Sequence, residues 1–181
     1  MQSGKNNRTL TRRQFVAAGA AGGVVAAVGC KKGSRGNWEF LTDEQAGTLG
    51  ALCDQIVPAD EFPGATQAGV LDYIDRQLVR HYRRHQEAYR DGLVEAEAIG
   101  RKRFGERLAQ LTPSQQDEVA HALELASSVF FNLLRNHTLE GYYGSPRHGG
   151  NRDAQSWRML GLSEPPTLGR AQYDLRKGSP S

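Results

Sequence analysis

Helical periodicity, bounded by two capping boxes, is the feature that most constrains the fold of this chain. The first box begins at Thr42 and is closed by Gln45. The second begins at Thr112, with Pro113 at the first helical position and Gln115 three residues after the cap. Apolar residues then recur at intervals of three and four, and no stretch alternates apolar and polar residues as a strand would. The sequence therefore predicts an all-α fold, an irregular bundle of about four to five helices.

The helical stretches follow one another with short connections. The first ends at Pro58, and the second runs from near Thr66 to near His81. The third, from Tyr89 to Leu108, carries charge on its other face, which is typical of an outer helix, and its glycines lower its helix propensity. The fourth runs from Thr112 to Gly141, with a candidate break at Ser127-Ser128. Together with the segment that follows, these stretches form a predicted helical domain over residues 41–164.

A long loop rich in glycine and aromatic residues runs from His137 to Trp157, beginning at the end of the last helix. Its glycines allow positive φ and close backbone approach. Its aromatic, arginine and amide side chains are the types that anchor interfaces and polar ligands. Two interpretations stay open at this point: an ordered loop that caps the bundle, or a docking or ligand loop.

Residues 1–30 have the organisation of an export signal. A basic segment without acids is followed by an apolar run from Phe15 to Val28, which is shorter than the roughly 20 residues needed to cross a bilayer. The paired Arg12 and Arg13 resemble a twin-arginine signal. Ala27-Val28-Gly29-Cys30 resembles a lipoprotein box, and its first three residues also fit ordinary signal cleavage. A lipid on Cys30 would tether the protein to a membrane without spanning it.

Charge outside this signal segment is nearly balanced. The whole chain has 23 Lys and Arg against 20 Asp and Glu, and four of the bases precede Cys30, so the mature chain carries a formal charge of −1. No dense basic stripe with interleaved aromatics remains, which argues against nucleic-acid binding. We expect the Arg80 to Arg84 cluster to be a solvated helix face. Residues 31–40 read as a polar tether, and 165–181 as a flexible tail or an arm that orders on a partner.

Motifs for resident cofactors are absent from the sequence. It contains no dinucleotide-binding GxGxxG after a strand, no phosphate loop, no GxSxG and no cysteine pattern for haem, zinc or an iron–sulfur cluster. His81 and His85 would share a helix face, but they lack a third ligand, so we expect exposed histidines and no metal site. Cys53 has the spacing of a core residue.

Acid and base side chains of the loop offer an enzymatic alternative. His137, Glu140, His148 and Asp153 form the only plausible acid/base group in the sequence, and a small enzyme would use Glu140, His148 and Asp153. No nucleophile or cofactor cradle accompanies them.

Two separated blocks of the chain resemble the gluconate 2-dehydrogenase subunit 3 family. The first comprises Leu41-Thr42-Asp43-Glu44-Gln45, Ile56-Val57-Pro58-Ala59-Asp60 and Tyr73-Ile74-Asp75. The second comprises His137-Thr138-Leu139-Glu140-Gly141-Tyr142-Tyr143-Gly144, Gly149-Gly150-Asn151-Arg152 and Trp157. The resemblance covers most of Phe40 to Leu162, although little of it falls between about Tyr82 and Ser127.

This resemblance implies a non-catalytic small subunit of a flavin-dependent, membrane-associated sugar or sugar-acid dehydrogenase. In such complexes FAD lies in the large subunit and haem c in a cytochrome subunit, and the small subunit holds no redox centre. The small subunit would stabilise its partner and supply the signal for export of both chains, already folded, by the twin-arginine translocase to the periplasm. Attachment to the membrane would come from a lipid anchor or through the complex. The other alternative is a lipid-anchored helical periplasmic protein without a dehydrogenase partner.

Under this interpretation the loop would contact the large subunit. We expect the glycine pair to let the two backbones approach, and Asn151 to bond main chain of the partner. The candidate interface residues are Tyr142, Tyr143, Arg147, His148, Asn151, Arg152 and Trp157.

Overall fold

A computed structural model describes residues 37–126 and 128–163. Over these ranges the chain is helical and contains no strand, which confirms the all-α prediction. The helices are α1 (Asp43–Ile56), α2 (Val70–Leu78), α3 (Gln86–Phe104), α4 (Pro113–Leu125), α5 (Val129–Tyr143) and α6 (Gln155–Met159). Short 3₁₀ turns occupy Arg83–His85, Leu108–Gln110, Pro146–His148 and Arg152–Ala154. The predictions for Arg12, Arg13, Cys30 and the tail from residue 165 onward fall outside the described residues.

Both predicted capping boxes are confirmed. The Thr42 hydroxyl accepts from the Gln45 N–H, while the Gln45 side chain accepts from the Thr42 N–H. Thr112 and Gln115 repeat the arrangement at the start of α4. Because each box satisfies N–H groups that have no partner within the helix, it fixes where that helix begins.

The second predicted helix is shorter at both ends than its apolar spacing indicates. It begins at Val70, because Gly69 precedes it in a left-handed conformation with φ of 81°. It ends at Leu78, so His81 and the cluster from Arg80 to Arg84 lie in a turn. The prediction that the cluster is solvated is confirmed, since Arg80, Arg83 and Arg84 are exposed. The predictions that it forms a helix face and that His81 shares a helix face with His85 are wrong.

A break separates α4 from α5 where the sequence suggests one. α4 ends at Leu125 and α5 starts at Val129, with the Ser128 hydroxyl accepting from the Phe131 N–H. The break turns the chain so that α5 also packs against α1, α2 and α3.

The core is built around α1, which contacts α2, α3, α4 and α5. Large residues from all five helices are fully buried there, among them Leu52, Ile74, Leu93, Leu123 and Leu134. Gly92 has a packing role in α3: a Cβ at this position would lie 2.0 Å from Phe130 Cγ. The residue that lowers the propensity of α3 thus allows α5 to pack closely against it.

The described chain enters the fold through contacts with α2. The backbone N–H groups of Glu39, Phe40 and Leu41 donate to the buried Asp75 carboxylate at 2.7, 3.0 and 2.9 Å. Phe40, predicted to end the polar tether, is buried in the core. Among the described residues, no helix is long and apolar enough to span a membrane.

Candidate functional site

The segment from His137 to Trp157 forms a compact loop against the bundle. It begins inside α5, passes through the turns at Pro146–His148 and Arg152–Ala154, and ends in α6. The whole segment is held by side chains and backbone of the same chain, which makes it an ordered surface built on the helices.

Asn151 joins the two ends of the loop. Its side chain is completely buried; Nδ2 donates to the Gly144 carbonyl at 2.9 Å, and Oδ1 accepts from the Ser156 N–H at 3.0 Å. Asn151 also has a φ of 44°, a left-handed conformation that asparagine tolerates better than most residues. Its amide is therefore engaged within the chain and, in this conformation, offers nothing to a partner main chain.

Arg152 attaches the loop to α2. Its backbone N–H donates to the Ala68 carbonyl at 2.8 Å, and its guanidinium contacts the Asp72 carboxylate at 2.9 Å. Both side chains of the pair are partly exposed, so we expect the pair itself to contribute at most about 1 kcal/mol. The backbone hydrogen bond and the surface ion pair fix Arg152 at the edge of the loop.

The close backbone approach predicted for the glycine pair occurs within the chain. A Cβ on Gly150 would lie 2.1 Å from the Gly141 carbonyl oxygen, so only glycine lets the loop pack on α5 here. Gly149 has a φ of 102°, which disfavours other residues. The glycines thus position the loop on its own helix.

Backbone strain is concentrated beside Asn151. Asp153 and Ala154 have φ values of 56° and 52°. For alanine this left-handed conformation costs about 1–2 kcal/mol. Such strain persists where the surroundings impose it, and it often marks functional segments.

Tyr142 and Tyr143 have different environments although they are adjacent. Tyr142 is buried, its hydroxyl donates to the Pro63 carbonyl at 2.8 Å, and burial raises its pKa. Tyr143 is 42% exposed, and its ring packs edge-on against Tyr142. Of the two predicted contact residues, therefore, Tyr142 supports the loop from inside and Tyr143 presents a surface.

Trp157 completes the exposed side of the loop. Its indole N–H donates to the Tyr143 carbonyl at 2.7 Å, which leaves the half-buried ring beside Tyr143. Arg147 and His148 are exposed on the preceding turn. The structure therefore brings Tyr143, Trp157, Arg147, His148 and Arg152 to the outside of one loop, and we call these five residues the loop surface.

Next to the loop lies an aromatic cluster that sequence analysis missed. The His137 ring stacks on Tyr82, with centroids 3.7 Å apart, and its Nδ1 shares a hydrogen bond with the Tyr89 hydroxyl at 2.9 Å. Burial lowers the pKa of His137 to about 4, against the weaker opposing effect of Glu140, so the ring is neutral at neutral pH. His137 is thus a structural residue that joins α5 to α3 and to the turn before it.

Glu140 terminates a hydrogen-bonded chain of tyrosines. Its carboxylate accepts from the hydroxyls of Tyr82 and Tyr73, and these hydroxyls lie 2.8 Å from each other. Burial is the largest cause of the raised pKa of both tyrosines, which keeps them protonated donors. The sequence gives only a weak signal for this cluster, because Tyr73, Tyr82 and Tyr89 lie far from His137 along the chain and no local pattern connects them to it.

In the described part of the chain, Glu140 is bonded to tyrosines and not to the other acid/base side chains that a small enzyme would use. Within residues 37–126 and 128–163, no hydrogen bond or ion pair joins Glu140 to His148 or to Asp153, and both of the latter are exposed. Over the same ranges no three residues of the types His, Cys, Asp and Glu are grouped to hold a metal ion. Cys53 is buried against the Thr138 hydroxyl, and burial raises its pKa to about 12. A thiol in this state is a poor nucleophile.

Comparison with known protein families identifies a match over most of the described chain. The family model described as gluconate 2-dehydrogenase subunit 3 matches residues 43–163, a span that includes α1, the loop and α6. Neither a curated protein nor a solved structure matches the chain.

Proposed function

Because the chain belongs to the gluconate 2-dehydrogenase subunit 3 family, we propose that it is the non-catalytic small subunit of a flavin-dependent sugar or sugar-acid dehydrogenase complex. The family match is the observation that carries this proposal. The large subunit would hold FAD and oxidise an alcohol carbon, and a cytochrome subunit with haem c would take the electrons. This chain would stabilise the large subunit.

The loop surface is the proposed docking site for the large subunit. The residues that dominate binding energy at protein interfaces are enriched in tryptophan, tyrosine and arginine. Here they rest on buried side chains, among them Asn151 and Tyr142, so that little ordering would be needed on association. Arg152 remains half exposed beside Asp72 and would contribute at the rim. Of the seven candidate interface residues, we therefore retain the five of the loop surface and leave out Tyr142 and Asn151, which are buried.

Export is the second part of the proposal. A twin-arginine signal at Arg12 and Arg13 would carry folded cargo, so FAD could be inserted into the large subunit before both chains leave the cytoplasm. The complex would then work in the periplasm, associated with the membrane through a lipid on Cys30 or through its other subunits.

Co-purification tests the proposal directly. The chain is expressed with its leader in its own host and with an affinity tag after Ser181, and the absorbance spectrum and subunit masses of the product are recorded. We expect a yellow complex containing a much larger second chain. Replacing Arg12 and Arg13 with lysine should then retain both chains in the cytoplasm. A colourless monomer would contradict the proposal.

The docking site needs a separate test. Tyr143→Ala and Trp157→Ala should each weaken association by about 2 kcal/mol, roughly 30-fold in Kd, if these rings are hot spots. Val94→Ala, at an exposed apolar position of α3, is the matched control and should leave association unchanged. Trp157→Phe keeps an aromatic ring but loses the indole N–H bond to the Tyr143 carbonyl and part of the ring surface. A smaller loss of association for this variant than for Trp157→Ala would indicate that ring contact with the partner contributes. Unchanged association of the double alanine variant would exclude this surface.

A further inference from the structure

The turn between α2 and α3 carries a group of arginines without acidic partners. Arg80, Arg83 and Arg84 are exposed, and none of them forms an ion pair with any residue in the described part of the chain. The Arg84 Nε donates to His85 Nε2 at 3.1 Å, a bond that leaves its charge uncompensated. We call residues 79–85 the arginine turn.

The basic run at the end of α3 provides a contrast. Arg101 lies 3.6 Å from the Glu97 carboxylate, and Arg103 lies 3.9 Å from that of Glu118. These charges are partly balanced within the chain and also lie at the negative end of a helix dipole. Arg80 follows the C-terminus of α2 and so lies near the negative end of that helix, but Arg83 and Arg84 precede the N-terminus of α3, and none of the three forms an ion pair within the described residues. The positive potential of the arginine turn is therefore directed to solvent.

The arginine turn is fixed in place. The Tyr82 N–H donates to the Gln77 carbonyl at 2.8 Å, and the Gln86 side chain donates to the Leu78 carbonyl at 2.8 Å. The Tyr82 ring stacks on His137 of α5. One aromatic side chain is thus inserted among the helices while the arginines on either side of it point outward, and little backbone entropy would be lost when they bind an anion.

The arginine turn also lies near the point where the N-terminal segment joins the fold. Asp75, which accepts from the N–H groups of Glu39 and Phe40, is in the last turn of α2. Arg90, in the second turn of α3, lies over the Phe40 ring at 4.9 Å. These two helices flank the arginine turn, so residues 39 and 40 lie within about two helical turns of it along each helix.

We propose that the arginine turn is a membrane-facing surface that binds anionic phospholipid headgroups. This inference rests on the proposed function, in which the complex is associated with a membrane. Cys30 precedes Asn37 by only seven residues, so a lipid on Cys30 would hold the bilayer close to the part of the domain where Glu39 and Phe40 contact α2 and α3. A guanidinium binds phosphate through two parallel hydrogen bonds, and a basic segment near an anionic bilayer reinforces an anchor that is weak alone. The domain would therefore be oriented at the membrane as well as tethered to it.

Vesicle partitioning of the full chain tests this surface. Binding is measured with vesicles of phosphatidylcholine alone and with vesicles that also contain phosphatidylglycerol, and the ratio of the two partition coefficients is compared between variants. The leader and any lipid are common to all variants, so they cannot produce a difference. Each arginine near an anionic surface strengthens binding about fivefold, so replacing Arg80, Arg83 and Arg84 with glutamine should lower the ratio about 100-fold. Added salt should also lower the wild-type ratio, because it screens the attraction between the arginines and the anionic headgroups.

The control variant replaces Arg101, Lys102 and Arg103 with glutamine, which makes the same change in net charge. It should keep most of the wild-type ratio, and melting curves should show both variants folded. Equal losses in the two variants, or no preference of the wild-type chain for phosphatidylglycerol, would overturn the proposal. It would also be overturned if the arginine-turn variant kept its ratio but lost an acidic protein that the wild type retains.

The same variants separate this inference from the proposed function. Retention of the flavin-containing large subunit by the arginine-turn variant, together with loss of vesicle preference, would support a lipid surface distinct from the docking loop. Vesicle preference in a wild-type chain that retrieves no flavoprotein would support the lipid surface and contradict the proposed function.

Discussion

Replacing Asn151 with alanine should destabilise the domain more than any other single change to a polar side chain of the loop. The asparagine is fully buried and satisfies one backbone donor and one backbone acceptor, at Ser156 and Gly144. Alanine would leave both groups unpaired and would also have to occupy a φ of 44°.

The magnitude follows from these three contributions. The buried Ser156 N–H loses its acceptor at a cost of about 2 kcal/mol, and the partly buried Gly144 carbonyl, which water can reach, loses about 1 kcal/mol. The left-handed backbone adds about 1 kcal/mol for alanine. We therefore expect the free energy of unfolding to fall by about 4 kcal/mol, a large part of the stability of a domain this size. Asn151→Gly should recover about 1 kcal/mol of the loss, because glycine relieves only the backbone contribution.

Urea unfolding, followed by circular dichroism, measures these differences. Asn136→Ala is the matched control, since Asn136 is exposed on α5 and should change stability by less than about 0.5 kcal/mol. If Asn151→Ala were as stable as this control, the loop would not depend on its central amide. If Asn151→Gly and Asn151→Ala were equally unstable, the left-handed backbone would contribute nothing to the loss.

Three further predictions concern the surroundings of the loop. Tyr142→Phe should cost about 1 kcal/mol of folding free energy, because its hydroxyl donates to a backbone carbonyl, whereas Tyr143→Phe should cost almost nothing; denaturant midpoints compare them. Gly150→Ala places a Cβ 2.1 Å from an α5 carbonyl oxygen, so the melting temperature should fall and hydrogen exchange in the loop should rise; unchanged protection would refute this contact. His137 has a folded-state pKa of about 4 against the ordinary 6.5, so the unfolded chain binds a proton at higher pH than the folded chain. The free energy of unfolding should therefore fall, by at most about 3 kcal/mol, as the pH drops from about 6.5 to about 4. His137→Gln should flatten that slope, whereas His121→Gln, at an exposed position, should keep it.

Helix starts were predictable because they depend on local chemistry. Thr42 and Thr112 satisfy the first N–H groups of their helices with side chains only three residues apart in sequence, and no distant residue is needed. Ser128 ends the apparent continuity of the last predicted helix in the same way. The boundaries of α2 were not predictable from apolar spacing, because Gly69 adopts a left-handed conformation that the spacing does not indicate.

The sequence identified the loop as the unusual segment, but it did not indicate which of the loop residues are buried and which are exposed. Tyr142 and Tyr143 are chemically equal in the sequence, but the helix turns one of them towards the loop at Pro63 and the other towards solvent. Asn151 is a plausible contact residue by composition, yet its partners are the two ends of its own loop. The packing of the loop on α5 determines which of these side chains are buried and which are exposed.

By itself, the sequence determined the class of the fold, the capped starts of α1 and α4, the family and the segment in which the unusual residues are concentrated. These features depend on short-range hydrogen bonding and on periodicity, both of which are carried by neighbouring residues. Tertiary structure alone decided which loop residues are exposed, how His137 packs with Tyr82 and Tyr89 beside Glu140, and that the arginine turn lies beside the entry of the described chain. Those features arise when residues distant in sequence compete for the same buried space and the same hydrogen-bond partners, which no local pattern records.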